Sequence, residues 1–405
     1  MNMKKLAIAA SLFALSVSLP AHAEESKAGG VEFSGNVDIV TGWQHDDGAA
    51  IGDVSGGLRD FRGATAPSRD TFNFYVDQVE LDIQKSFGEK IRLRADLDFG
   101  RFLSGSGRNT DSGVVGSNFE LEQGYVTLGV LGGEFLIGRF NVPIGYYLVD
   151  RADNPTISFP NSYNFLTPTN ATGAKMYWAF GDNFDMHLYL VNQLFDCIIV
   201  GAPCLTGARL PVPPAAGVAS PGDSAIPSWG TRFGYNWGEE GKKSTLGLSY
   251  AGGPEQAGNN AHLTHIIDLD FAIKFTEQLL FAGEFTYAQQ NNLPTVLGPN
   301  AKSIAGFFVL DYGLSDIWDI FFSYGYIHDF QGEFTGADQQ IHNFILGAGY
   351  QITDGAKMKL EYRMDLHHYA AVQPGLQPRN VLINPASGDR TSLSHALAAE
   401  FAYNF

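Results

Sequence analysis

Ile91-Arg92-Leu93-Arg94-Ala95-Asp96-Leu97-Asp98-Phe99 sets an apolar side chain at every odd position and, Ala95 apart as a small one, a charged side chain at every even position. A period of two puts the charges on one face of an extended chain and the apolar groups on the other. The rhythm returns near the C-terminus, where Lys357, Lys359, Glu361, Arg363 and Asp365 alternate with Met358, Leu360, Tyr362, Met364 and Leu366. Between them, Ile267, Leu269, Phe271, Ile273 and Phe275 alternate with Asp268, Asp270, Ala272 and Lys274. Such strands have one wet face and one face fit for lipid.

Outward from these stretches, the connections alternate strictly between short and long. Short ones fall at 86–90, 131–133, 181–183, 239–241, 276–278, 314–316 and 353–355. Long ones fall at about 44–70, 104–117, 142–170, 195–227, 252–262, 290–300, 331–339 and 371–390. Seven short turns and eight long loops predict an all-β, transmembrane, antiparallel up-and-down β-barrel of about sixteen strands, with both ends on the short-turn side. Counts of fourteen or eighteen fit the same boundaries. The 47 glycines and 13% aromatic residues suit many strands and tight turns. The tryptophans agree: Trp43 and Trp229 fall at long-loop ends, and Trp178, Trp237 and Trp318 near short-turn ends.

The chain opens with Lys4-Lys5, an apolar run from Leu6 to Leu19, then Pro20 and Ala21-His22-Ala23. This pattern predicts a cleavable signal peptide at 1–23 and a single barrel domain at 24–405. No later stretch approaches the ~18 apolar residues of a membrane helix, so a span must be built from strands. At the other end, Phe401, Tyr403 and Phe405 resemble the signal read by the barrel-assembly machinery, although any last strand alternates. These features place the chain in the outer membrane, among its lipids, with periplasmic termini. The net charge of −17 excludes nucleic acid as a partner. Cys197 and Cys204 lie on one long loop; after passage through an oxidising compartment they form a disulfide, or else remain two free thiols.

A barrel of about sixteen strands is too wide for side chains to fill. Arg92, Arg94, Asp96, Asp98, Asp268, Asp270, Lys359, Glu361, Arg363 and Asp365 are therefore expected to line an aqueous lumen, since burying unpaired charges costs several kcal/mol each. The alternative is a salt-bridged interior that plugs the barrel.

Several stretches resemble the OmpL-like family of Gram-negative outer-membrane β-barrel porins. They are Phe74-Tyr75-Val76-Asp77-Gln78-Val79-Glu80-Leu81, Ala95-Asp96-Leu97-Asp98-Phe99-Gly100, Glu122-Gln123-Gly124-Tyr125-Val126, Gly138-Arg139-Phe140-Asn141-Val142-Pro143-Ile144-Gly145-Tyr146 and Thr172-Gly173-Ala174. The resemblance is clearest over about residues 70–195. It implies a water-filled channel for passive diffusion of small hydrophilic solutes and ions. The acidic residue that the family tends to carry soon after Pro-Ile-Gly is met here by Asp150. In the general trimeric porins, the long loop between the fifth and sixth strands folds into the lumen. Here that loop is 142–170, with Asp150, Arg151 and Asp153 as constriction candidates facing Arg92, Arg94 or Arg363. It lacks the Pro-Glu-Phe-Gly-Gly pattern of those porins, and an external loop with solvated charges is the other reading. A homotrimer is the usual assembly of large porins, and the acid surplus predicts a mild cation preference.

No catalytic, cofactor or metal set emerges. His367 and His368 point to opposite faces of one strand and cannot share an ion. A lipid hydrolase would need a serine and an acid beside outward histidines such as His328 or His368, and none stands at a suitable spacing. The competing class is a structural or adhesive barrel acting through its outer loops, 195–227 above all.

Overall fold

The structure is a computed structural model that describes residues 26–28, 30–46, 70–99, 119–194, 226–239, 243–255, 260, 263–291, 300–331, 338–369 and 391–405. The predicted signal peptide, Cys197 and Cys204 lie outside the described residues. A short strand β1 (Ser26–Ala28) pairs with the start of β2 (Val31–Asp46). There follow β3 (Asp70–Phe87), β4 (Ile91–Phe99), β5 (Phe119–Val130), β6 (Gly133–Asn141), β7 (Asn170–Phe180), β8 (Phe184–Val191), β9 (Ser228–Trp237) and β10 (Ser244–Pro254). The chain continues through β11 (Leu263–Lys274), β12 (Leu279–Asn291), β13 (Asn300–Gly313), β14 (Trp318–Asp329), β15 (Gln339–Thr353), β16 (Ala356–Tyr369) and β17 (Thr391–Asn404).

Each strand from β2 to β17 pairs antiparallel with its sequence neighbours, and β17 returns to pair with β2 from Ser394↔Asp46 to Asn404↔Asn36. The result is a closed barrel of sixteen strands. Closure satisfies every strand edge, which a chain in lipid requires because no water is there to pair a free N–H or C=O. At the seam, Phe405 and Gly35 exchange two backbone bonds of 2.9 and 3.1 Å. Joining β5 to β6, Leu131 and Gly132 have φ of 54° and 72°, the pair of positive values that a two-residue turn needs to match strand twist.

The period-two reading holds on the outside. Phe72, Phe74, Ile137, Phe285, Leu346 and Leu360 are all exposed there and present an apolar belt. Aromatic pairs sit at the belt's edges, with Trp229 4.9 Å from Tyr250 at the long-loop end and Trp318 4.7 Å from Tyr350 at the short-turn end.

Of three register shifts among the described strands, one lies at Gln351/Thr353 beside the turn from β15 to β16, and the other two turn polar residues inward. Opposite Asp38/Ile39, β3 carries the extra residue Asp77; opposite Asp96/Leu97, β5 carries the extra residue Glu122. A bulge of this kind turns two consecutive side chains to one side. Asp77 with Gln78, and Glu122 with Gln123, are accordingly all buried inside the barrel.

Between β6 and β7 the chain leaves the wall and folds inward. Pro143, Pro155, Pro160 and Pro168 deny it a continuous ladder of donors. Val142 N–H donates to Thr169 C=O at 2.8 Å and closes the base of the segment. Within it lie a 3-10 turn (Arg151–Asp153) and a short helix α1 (Asn161–Leu166) that starts directly after Pro160. The segment's landing site is apolar: Ala288, Ala301, Ala305, Ile327 and Ile341 of β12–β15 cluster with Val142, Ile144, Phe165 and Leu166. Beside them, Tyr147, Phe159 and Tyr163 pack on Phe307 and Val309. Burying one such aromatic or aliphatic side chain contributes about 1.5–3 kcal/mol.

Candidate functional site

The inward segment 142–169 touches β3, β10, β12, β16 and β17, strands from opposite sides of the barrel, which only a path through the interior allows. Its anchoring is polar and falls into three groups.

On β16, successive inward residues all engage the segment. The Glu361 carboxylate accepts from Ile157 N–H at 2.6 Å, from Ser158 N–H at 3.2 Å and from the Ser158 hydroxyl. Arg363 donates to Phe159 C=O at 2.6 Å and to Asn161 Oδ1 at 2.9 Å, while Asp365 holds the same guanidinium through both of its oxygens. Lys359 reaches Ala152 and Asn154 carbonyls at 3.2 and 2.8 Å and pairs with Glu400 at 2.8 Å. Each charge thus has a partner, which is what keeps a buried ionic group from costing several kcal/mol.

On β3 the bulge supplies the second group. Asp77 binds Arg151 at 2.9 Å, and Gln78 donates to Asp150 at 3.0 Å and to Asp98 at 3.1 Å. Arg151 also lies over the ring of Phe159, 4.9 Å from its centroid. Burial pushes the Asp150 carboxyl up from its ordinary pKa, against the Gln78 hydrogen bond that pulls it down. Burial likewise raises Tyr147, whose hydroxyl meets Thr156 at 2.8 Å.

On β12, Glu284 makes the third group, accepting from Tyr146 N–H at 3.1 Å and from the Thr167 hydroxyl at 3.4 Å, the two ends of the segment.

Of the charges expected along the wall, Asp96, Asp98, Asp268, Asp270, Lys359, Glu361, Arg363 and Asp365 are all buried. Asp268 accepts from Thr286 at 2.9 Å, and Asp270 pairs with Arg232. Arg94 pairs with Asp96 at 2.7 Å and with Asp82 at 3.5 Å. Arg92 stays wet, 3.3 Å from Glu134 with side chains 40% and 50% exposed. Asp150 and Arg151 meet Gln78 and Asp77, and Asp153 meets Asn404 at 3.2 Å, rather than the wall arginines. Of the three arginines expected to face it, Arg363 is the one recorded in contact with the segment, through the Phe159 carbonyl and Asn161. Beneath the segment, towards the short-turn end, a cavity of about 430 Å³ is bordered by Asp153, Asp311, Gln351, Lys357 and Asn404. Lys357 pairs with Asp319 at 2.8 Å beside it. His367 is buried and His368 exposed, on opposite faces as the alternation requires.

Asp77, Gln78, Glu122 and Glu284 hold or face the segment and escaped the sequence reading as site residues. The first three lie in the quoted family stretches, yet the bulges that aim them leave no local signal. Glu284 stands in a run of aromatic and small residues without a charged alternation to mark it.

The family model for beta-barrel porin-2, OmpL-like, matches residues 30–403. No curated protein matches the chain. Among solved structures, the outer membrane channel DcaP of Acinetobacter baumannii is similar at TM-score 0.61 and 10% identity, covering 95% of this chain and 100% of its own. The anion-selective porin from Comamonas acidovorans is similar at TM-score 0.55 and 14% identity, covering 93% and 99%. OmpT of Vibrio cholerae in its trimer form is similar at TM-score 0.54 and 12% identity, covering 94% and 100%.

Proposed function

The chain belongs to the OmpL-like β-barrel porin-2 family, and from that premise we propose that it is a water-filled outer-membrane channel for passive diffusion of small hydrophilic solutes and ions. The observation that carries this reading is the segment 142–169, folded inside a sixteen-stranded wall and pinned at Glu361, Asp77 and Glu284. A barrel of this size is too wide to be filled by its own side chains, so an inward loop sets the width of the passage. The exposed pair Arg92–Glu134, and the partly exposed pair Lys357–Asp319 at the cavity under the segment, support an aqueous path. Export by residues 1–23, folding by the barrel-assembly machinery and periplasmic termini complete the reading; β2 begins and β17 ends at the short-turn end.

Single-channel conductance of the refolded protein in a planar bilayer, under a salt gradient, tests it. Stable open steps are expected, with a reversal potential of the sign for cation preference. The variant Glu361→Ala frees Ile157 and Ser158 and is expected to raise the conductance step while the barrel still folds. Silence from both correctly folded proteins would reject the channel in favour of a plugged or adhesive barrel, a reading that the many buried wall charges would then support.

A further inference from the structure

The segment docks on β3, β4 and β5 across four carboxyl groups: Glu80, Asp98, Glu122 and Asp150. Neutral amides supply what donors they have. Asn36 Nδ2 donates to Glu80 at 2.5 Å, and Gln78 Nε2 is shared between Asp98 and Asp150. The nearby arginines are engaged elsewhere, Arg151 with Asp77, Arg94 with Asp82 and Asp96, and Arg139 through Nε with the backbone carbonyls of Leu121 and Glu122 rather than the Glu122 carboxylate.

A cluster of acids alone could share protons and bind nothing. Glu122 is the separate observation. It is the bulged residue of β5, turned inward out of the strand's alternation, and it is 0% exposed. Neither of its carboxylate oxygens receives a hydrogen bond from an amide, a hydroxyl or a cationic group, and its side chain meets the other three acids, Asp98 within hydrogen-bonding reach. A buried carboxylate without a donor is costly, and a bound cation removes that cost. The spacing fits one: ligand oxygens of Glu80, Glu122 and Asp150 all lie within 4.8 Å of one another. Oxygens on opposite sides of a Ca²⁺ ion, each about 2.3–2.6 Å from it, are separated by about that span. An all-oxygen set selects a hard cation over zinc or copper.

We propose that Glu80, Glu122 and Asp150, with Asp98 beside them, bind a calcium-class divalent cation that ties the inward segment to the barrel wall. Asp150 belongs to the segment and the other three belong to separate strands, so the ion crosslinks the two. Binding does not depend on whether the barrel conducts; only its effect on conductance rests on the porin reading.

The test uses the full chain refolded in lipopolysaccharide-free detergent and stripped with EDTA. Titration with Tb³⁺, followed by luminescence and displaced by Ca²⁺, is expected to saturate at one site. Ca²⁺ is expected to raise the temperature at which the folded barrel unfolds. Glu122→Gln and Asp150→Asn are each expected to weaken binding at least tenfold and to abolish the calcium-dependent rise, whereas Glu89→Gln, in the exposed turn 88–90, keeps both. Asp150→Asn lies outside the barrel strands, so it remains informative if Glu122→Gln does not fold. Absence of binding to the folded wild type, or binding undiminished in the folded variants, would overturn the proposal and leave the four acids held by shared protons. Because Tb³⁺ binding and unfolding are read without current, a silent channel and a missing ion site give different results.

Discussion

At Gly145 the inward segment turns with φ of +85°, and a Cβ added there would stand 2.5 Å from Glu284 Oε2. Left-handed backbone costs a side-chain-bearing residue about 1–2 kcal/mol, and here the new methyl group also meets the carboxylate that holds Tyr146 N–H. Gly145→Ala is therefore expected to lower stability by about 1–2 kcal/mol, read as a reduced urea midpoint of the refolded barrel. The Pro143-Ile144-Gly145 stretch stands out in the sequence as part of a family resemblance. What the glycine avoids is invisible there, because Glu284 comes more than a hundred residues later. Glu361 makes the same point. Its alternation marks it as inward, and its role as acceptor for Ile157 and Ser158 appears only when the segment is in place.

For an element, the informative case is β3. Strands β4, β11 and β16 follow the period of two from end to end, and their inward faces were readable residue by residue. In β3 the outward series Phe72, Phe74, Val76 continues as Val79, Leu81, Ile83, displaced by the bulge at Asp77. Deleting Asp77 restores plain alternation, so the apolar face stays in lipid and the barrel is expected to fold. Arg151 then loses the Asp77 carboxylate, and the segment is expected to loosen. The measurement is conductance together with the heat-induced shift from folded to unfolded mobility. A raised step with a retained folded band is the expected outcome; an unchanged step would show that Asp77 does not hold the segment. The helix α1 and the 3-10 turn were not legible, since neither has the length or periodicity that marks a helix in sequence. The helix α1 forms where an apolar patch from β12–β15 receives Phe165 and Leu166, and the 3-10 turn is held by Asp77 on Arg151 and Lys359 on the Ala152 carbonyl.

Across the whole molecule, closure of β17 on β2 leaves the outer apolar belt as the surface that meets lipid or another chain. A homotrimer is the assembly expected from the sequence, and the trimer form of OmpT from Vibrio cholerae is among the similar structures. Crosslinking of the refolded protein in detergent is expected to give a three-chain band that collapses to one on boiling; single chains at every concentration would reject it. The sequence alone determined that the chain is a barrel, about how many strands it has, where its long connections fall and, in regularly alternating strands such as β4 and β16, which residues face in. Those properties follow from local periodicity and turn spacing, which each short stretch carries by itself. Tertiary structure alone decided that residues 142–169 fold inward, that bulges aim Asp77 and Glu122 at them, and that most of the wall charges are paired and covered. These depend on groups far apart in the chain becoming neighbours once the barrel closes, because a buried charge is tolerated only where a distant partner arrives to meet it.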